Sequence, residues 1–464
     1  MEHWASVIPF VVIIVFALWT KQVLPGLFIG LLIASLIVEG SFLGGMDAMS
    51  SYIITNLTKD TKLQVIGFLY IFAGIIQMTK MTGGIKGFIE LVSNRIQTKK
   101  QAIFLSWLSL GGTFISPNLR IVTVAPIMKA IQNKLDVKKE RLSFVIEATA
   151  LPVIALIPVA TAFIGYMTTT IELALENTEI SGDAYLYFLK SIPFNFFSIT
   201  TIVLALVYSV VKHPKIYDQK DEHKKEEGQR NDEGAEDKGV RANVWNLVIP
   251  LFLAISLSVL LSWWDGYQQT PSMIQAFMKA NVTKAMFHAI LITLVITFLQ
   301  HSIDRYSLKE LLQYFFEGGN KLIPAFFLFA LVWGLASATK DLGLSSFVTE
   351  TLGVIPESFI PPITFLLGSV LAYFVGSAWG SWGLLMPIGV SLATTSDIPL
   401  PLLIGIVFAS GTVGGLVSPL SATTATMSKI MGFNTVTYSG YKLKHSAAPF
   451  LLSLILYGLV TLVF

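Results

Sequence analysis

Apolar runs long enough to cross a lipid bilayer recur from one end of this chain to the other, and no soluble core could absorb them. They are Ala5 to Trp19, Val23 to Val38, Leu63 to Met78, Leu247 to Trp264, Leu322 to Leu335 and Ala447 to Phe464. A helix needs roughly 20 apolar residues to span a hydrocarbon core of about 30 Å. Charged residues make up only 13% of the 464 residues, whereas a soluble domain carries about 25%. A transmembrane β-barrel would instead show short strands of alternating polarity. The sequence therefore predicts an all-α polytopic membrane protein.

The chain has no cysteine, which excludes a disulfide framework, cysteine-ligated zinc, iron–sulfur clusters and thiol catalysis. Glu2 and His3 are the polar residues before the first apolar run. Without a basic n-region, that run is expected to be retained as a helix, not cleaved as a signal peptide. One stretch departs from the rest: KHPKIYDQKDEHKKEEGQRNDEGAEDKGVR, 212–241. It mixes both signs of charge with almost no apolar residues, the composition of a disordered linker. The linker, 212–244, separates halves of similar size, 1–211 and 245–464.

The halves read as repeats. Aligning Ser116 with Ser377 (377 − 116 = 261) also brings Pro126 onto Pro387 (387 − 126 = 261). TFISPNLRIVTVAP then falls on FVGSAWGSWGLLMP, and Pro152 pairs with Pro419 at a slightly larger offset. Lys and Arg favour the cytoplasmic side of a membrane. Lys99, Lys100, Lys134, Lys138, Lys139 and Arg141 flank the segment 101–132, so it is expected to enter and return from inside as a hairpin. Its counterpart, about 357–395, has no basic flank and is expected to enter from outside. Full crossings are expected at about 5–20, 23–45, 63–80, 142–170 and 184–211, and at 247–264, 282–300, 322–340, 401–428 and 447–464. An odd number per half inverts the second half. The expected fold is two inverted repeats, each of five transmembrane helices plus a re-entrant hairpin, with broken helices at the midplane. Both termini are expected outside, and the linker and the region of Lys429, Lys442 and Lys444 inside.

Four segments carry the breaks: SPNLR (116–120), EATALPVIALIP (147–158), GSAWGSWG (376–383) and GTVGGLVSPLSATTAT (411–426). Unwound backbone at membrane depth must be satisfied by protein, water or ligand. Freed N–H groups at a half-helix start attract carboxylates, and freed carbonyls with Ser or Thr oxygens coordinate sodium. Each motif alone is equally served by close helix packing; matching pairs of breaks point to a binding site. Arg120 is either a clamp for a substrate carboxylate or the partner of Glu147, since a central arginine costs roughly 2.5–3.5 kcal/mol on insertion scales. Ser116, Asn118, Arg120, Ser377, Trp379, Gly380 and Ser381 are the candidate substrate-binding residues. Glu147, Thr149, Ser418, Ser421, Thr423 and Thr424 are the candidate ion-coupling residues. Trp379 and Trp382 either line the site or pack. Lys129 is expected near the inner surface, and His288 is expected to be structural.

Enzyme signatures are absent: there is no H-E-x-x-H and no G-x-x-x-x-G-K-[ST]. Ser381 in GSWG lacks a histidine in any broken segment to act as its base. Without a nucleotide-hydrolysis motif, uphill transport is expected to run on an ion gradient, Na⁺ or H⁺, with no cofactor and no metal beyond Na⁺. The expected partners are a small-molecule or ion substrate and the lipid bilayer, with a homodimer left open and no nucleic acid.

RLSFVIEATALPVIALIPVATAFIGY, GSWGLLMPI and GGLVSPLSATTATMS together resemble the NhaC-type sodium/proton antiporters of the ion transporter superfamily. The likeness covers nearly all of the chain outside the linker. It implies a two-repeat bundle with paired re-entrant hairpins, sodium or proton coupling, and a bacterial plasma membrane. Glu147 takes the place of an acidic residue of the family pattern, and Ser418, Pro419, Ser421, Thr423 and Thr424 match it. The family's two aspartates of its last motif are Gly415 and Ala422 here, and the acids expected in the first hairpin are Ile115 and Ser116. These departures favour a solute bearing a carboxylate, an amino acid or organic acid, over exchange of Na⁺ and H⁺ alone.

Overall fold

The computed structural model describes residues 3–20, 22–93, 98–113, 116–135, 138–158, 161–176, 178, 180–210, 241–270, 276, 279–344, 346–347 and 356–461. Ile115 and nearly all of the charged linker, with the disorder expected of it, lie outside the described residues.

The fold is all-α and spans the membrane many times. The first half contains α1 (Ile8–Thr20), α2 (Val23–Glu39), α3 (Phe42–Leu57), α4 (Asp60–Met81), α5 (Gly84–Ser93), α6 (Lys99–Leu108), α7 (Leu110–Thr113), α8 (Pro117–Leu135), α9 (Lys139–Ala148), α10 (Leu151–Ile154), α11 (Ala162–Glu176), α12 (Ala184–Ser191) and α13 (Phe196–Val210). The second half contains α14 (Trp245–Tyr267), α15 (Val282–Ile303), α16 (Leu308–Asn320), α17 (Ile323–Asp341), α18 (Ile360–Val375), α19 (Ala378–Ala393), α20 (Leu400–Val417), α21 (Ala422–Met431) and α22 (Thr435–Val460). Among the described residues, seven helical stretches are long and apolar enough to cross a bilayer, and the pair α12–α13, bent by 48°, makes an eighth when taken as one span.

Local chemistry sets the boundaries. The expected crossing over 23–45 stops at Glu39, because Gly40 turns left-handed (φ 65°) and Ser41 caps a new helix through the Gly44 N–H. Left-handed backbone at a helix end is what glycine tolerates without steric cost. The new helix, α3, and its later counterpart α16 both stand where the sequence predicted connections. A capping box, Ser307 with Glu310, starts α16, and Leu311, Phe315, Gly318 and Gly319 form its buried face. That face lies so close on α4 that a Cβ on Gly318 would come within 2.3 Å of the Ala73 carbonyl. The expected crossing over 142–170 is not continuous either: it is divided into α9, α10 and α11.

Helix starts repeat across the halves. α6, α8 and α9 begin at Lys99, Pro117 and Lys139, and α18, α19 and α20 begin at Ile360, Ala378 and Leu400. All three intervals are 261 residues (360 − 99, 378 − 117, 400 − 139), the offset that aligns Ser116 with Ser377.

α20 is the axis of the molecule. It is buried at every position from Leu402 to Val417, as a helix apolar all round should be. α12, α13, α18 and α19 pack around it. The outer helices turn large apolar side chains outward, among them Phe252, Leu260, Val295, Leu299 and Phe327. A lipid-facing surface accepts such side chains where water would not.

Candidate functional site

Three of the breaks touch. A Cβ on Gly415, near the end of α20, would sit 2.3 Å from Leu151 Cδ2 at the start of α10 and 3.2 Å from Ala378 Cβ at the start of α19. Gly376, which ends α18 with φ 66°, would place a Cβ 2.5 Å from that of Leu420 in the α20–α21 break. The Ser418 hydroxyl donates to the Tyr373 carbonyl at 2.6 Å, tying the second hairpin to the same break. At Gly376, left-handed and against Leu420, only glycine fits without strain, while at Gly415 a side chain would have to displace Leu151.

Beside this junction is a cavity of about 350 Å³. The first turns of three helices line it: Ser116, Pro117 and Asn118 of α8, Ser377, Ala378 and Trp379 of α19, and Ser421, Ala422 and Thr423 of α21. Its aromatic wall is Phe72, Phe163, Phe329 and Trp379. The Trp379 ring lies 4.2 Å from that of Phe163 and 5.1 Å from that of Phe329, centroid to centroid, and the Tyr166 hydroxyl donates to its carbonyl at 2.7 Å. Lys80, Lys321 and Gln77 complete the polar lining. Lys321 Nζ donates to Gln77 Oε1 at 2.9 Å, and Gln77 Nε2 donates to Glu317 Oε2 at 3.5 Å. No Asp or Glu is among the described residues that line the cavity itself. Half-helix N-termini carry partial positive charge, so three helix starts and two lysines of this lining favour an anion.

Ser116, Asn118, Ser377, Trp379, Ser421 and Thr423 thus share one cavity, as the sequence reading groups them only in part. Gly380 and Ser381 stand one turn behind it. Gly380 N–H donates to the Ser377 hydroxyl at 3.3 Å, and the Ser381 hydroxyl donates to the Ser377 carbonyl at 2.8 Å. Trp382 is wholly buried and donates to the Phe408 carbonyl at 3.0 Å. His288 is exposed on the flank of α15, and Lys129 Nζ donates to the Ile430 carbonyl at 2.6 Å.

Arg120 is fully buried and stands apart from the cavity lining. Its guanidinium donates to the Ser106 carbonyl (2.8 Å), the Ile146 carbonyl (3.3 Å) and the hydroxyls of Ser109 (3.2 Å), Thr113 (3.2 Å) and Thr149 (2.7 Å). It therefore joins α6, α7, α8 and α9 through neutral acceptors. Thr149 passes the chain on, donating to the Val145 carbonyl at 2.7 Å.

Glu147 has other partners. Lys442 Nζ of α22 lies 3.1 Å from its Oε1, and the Tyr438 hydroxyl donates to Oε2. Lys442 also donates to Thr424 Oγ1 at 2.6 Å. The pair is buried from water, with 0% of the Lys442 side chain and 2% of the Glu147 side chain exposed. Sequence reasoning assigned Lys442 to the basic flank of the last crossing, together with Lys444. α22 instead begins at Thr435, and two residues' separation on a helix puts Lys442 and Lys444 on different faces. Lys442 follows Tyr438 by four positions, so both face the same way; that spacing was the signal available.

The hydroxyls around the α20–α21 break serve its own backbone. Ser421 and Thr423 donate to the Gly415 carbonyl (2.7 and 3.2 Å), Thr424 to the Ser418 carbonyl (2.9 Å) and Ser439 to the Val417 carbonyl (2.6 Å).

Comparison with known proteins gives a consistent picture. A family model described as the Na⁺/H⁺ antiporter family matches residues 159–461. An uncharacterized protein of Haemophilus influenzae is 23% identical over 474 residues, covering 95% of this chain and 88% of its own length. Among solved structures, MtrF of Neisseria gonorrhoeae, presented as illuminating a class of antimetabolite efflux pumps, superposes with a TM-score of 0.63 at 15% identity. It covers 89% of this chain and 84% of its own. The YdaH transporter of Alcanivorax borkumensis superposes with a TM-score of 0.57 at 13% identity, over 89% of this chain and 88% of its own.

Proposed function

Because the chain belongs to the Na⁺/H⁺ antiporter family, we propose that this secondary transporter is ion-coupled, works by alternating access, and carries a small carboxylate-bearing solute, an amino acid or organic acid. The observation that carries the cargo is the cavity: the N-termini of α8, α19 and α21 meet there with Lys80 and Lys321, and no carboxylate is among its described lining residues. A bare sodium ion is held by converging oxygens and helix C-terminal ends, while an anionic group is held by helix N-termini and lysines. The aromatic wall would take the apolar part of the solute.

The equal offsets between helix starts support two repeats, each with five crossings and a hairpin, inserted in opposite senses. Positive-inside reasoning then makes the linker cytoplasmic. The linker's last residues sit beside the C-terminal end of α4, where the Asn243 N–H donates to the Gly83 carbonyl at 3.2 Å. Lys80 is at that same end, which supports a cavity open toward the cytoplasm.

Family membership favours a second reading, exchange of Na⁺ for H⁺ alone, and the comparisons support it more directly than they support any organic cargo. Flux into proteoliposomes separates the two. The cavity reading expects saturable uptake of a labelled amino or organic acid that collapses with the ion gradient. Sodium-driven pH change with no organic flux across a broad carboxylate panel would leave cation exchange as the activity.

A further inference from the structure

We propose that Lys442 is a resident cation: its ammonium occupies, between Glu147 and Thr424, the position a coupling sodium ion would take, and so releases this site from any need for Na⁺. The inference rests on the ion-coupled reading above and specifies which ion that site does not use.

Nζ has the surroundings of a small cation. It lies 3.1 Å from Glu147 Oε1 and 2.6 Å from Thr424 Oγ1, with the Tyr438 ring centroid 5.0 Å away. Thr424 in turn donates to the Ser418 carbonyl at 2.9 Å, at the C-terminal end of α20. A helix C-terminus carries partial negative charge and favours a cation. A carboxylate, a hydroxyl and the carbonyl end of a broken helix are the groups from which sodium sites in transporters are built. Here a side chain from α22 already fills the centre.

Charge balance makes the occupancy exclusive. Glu147 and Lys442 neutralise each other, and the other buried cation nearby along the chain, Arg120, has only neutral acceptors. A sodium ion added to the pair would be an uncompensated buried charge, which is costly. Removing Lys442 leaves the carboxylate with the Tyr438 hydroxyl on one oxygen and the other oxygen open beside the Thr424 hydroxyl, a place that an external cation can fill.

The test is thermal unfolding of the purified full chain in sodium chloride and in choline chloride at equal ionic strength. The wild type should melt at the same temperature in both. Lys442→Met should melt higher in sodium, with the shift growing with concentration as mass action requires, and Glu147→Gln/Lys442→Met should lose that response. A folded Lys442→Met indifferent to sodium overturns the proposal. So does a sodium-specific stabilisation of the wild type that Glu147→Gln abolishes. If Lys442→Met does not fold, Lys442→Gln, which keeps a hydrogen-bond donor toward Glu147 and Thr424 without the charge, takes its place with the same expected and overturning results. The measurement uses no cargo, so a failed carboxylate assignment leaves its result standing, and its failure leaves the cargo question open to flux.

Discussion

Glu147 and Lys442 are 295 residues apart in the chain and 3.1 Å apart in space. One comes from the last turn of α9, the other from the last helix, so the pair fastens the two halves of the chain to each other. Breaking a buried pair from one side strands a charge and costs about 3–5 kcal/mol, whereas replacing both partners by apolar or neutral groups of similar volume is often neutral. Lys442→Met is therefore expected to lower the melting temperature in choline markedly, and Glu147→Gln/Lys442→Met to recover most of the loss. Single losses that simply add in the double variant would show that the two residues do not act as a pair.

Arg120 is expected to act as a frame residue. Arg120→Lys offers three donors to acceptors now served by five hydrogen bonds, and its ammonium cannot reproduce the planar fork. Each buried group left without a partner costs about 1–3 kcal/mol. Both Arg120→Lys and Arg120→Ala should reduce the yield of monodisperse folded protein and lower its melting temperature. An Arg120→Ala protein that melts like the wild type but has lost cargo binding would instead return Arg120 to the role of a substrate clamp.

Lys80 and Lys321 are exposed at the cavity, so neutralising them should leave stability nearly unchanged. Lys80→Ala/Lys321→Ala is expected to slow uptake of an anionic solute by roughly tenfold at low salt. The deficit should shrink at high ionic strength, where charges separated by more than a few ångströms are screened. A deficit that salt does not alter would place their contribution elsewhere than in attraction of the solute.

Gly415→Ala puts a methyl group where Leu151 Cδ2 would be 2.3 Å away. Overpacking of this kind costs about 1–3 kcal/mol, and it falls on a junction between breaks that alternating access, as proposed above, would move. Flux is expected to fall, and Leu151→Ala in the same chain to restore part of it. No recovery in the double variant would mean that the two breaks move independently.

The membrane class and the break positions were legible because both depend on local composition. Apolar runs identify the spans, and Pro117, Pro152, Gly376 and Ser418 interrupt them within a few residues of where the helices end. α3 and α16 escaped notice because their amphipathic stretches are joined to longer apolar runs by single turns, so only the caps at Ser41 and Ser307 distinguish them. The partners of Arg120 and Glu147 escaped for a different reason. The sequence left Arg120 either as a clamp for a substrate carboxylate or as the partner of Glu147. The hairpin brings two hydroxyls and one carbonyl to Arg120 and the end of α9 brings one more of each, while Glu147 meets a helix from the far end of the chain. Charge sign alone does not say which of several buried acceptors will be nearest.

The hydroxyls of Ser421, Thr424 and Ser439 on the carbonyls of Gly415, Ser418 and Val417 give the α20–α21 break its own internal solvent. Peptide groups unwound in a bilayer ordinarily have to find water wherever they go. These carry their hydration substitutes on the same short segment and on the helix next to it. A segment provisioned in this way keeps its peptide groups satisfied where no water reaches them, much as an ionophore wraps what it holds.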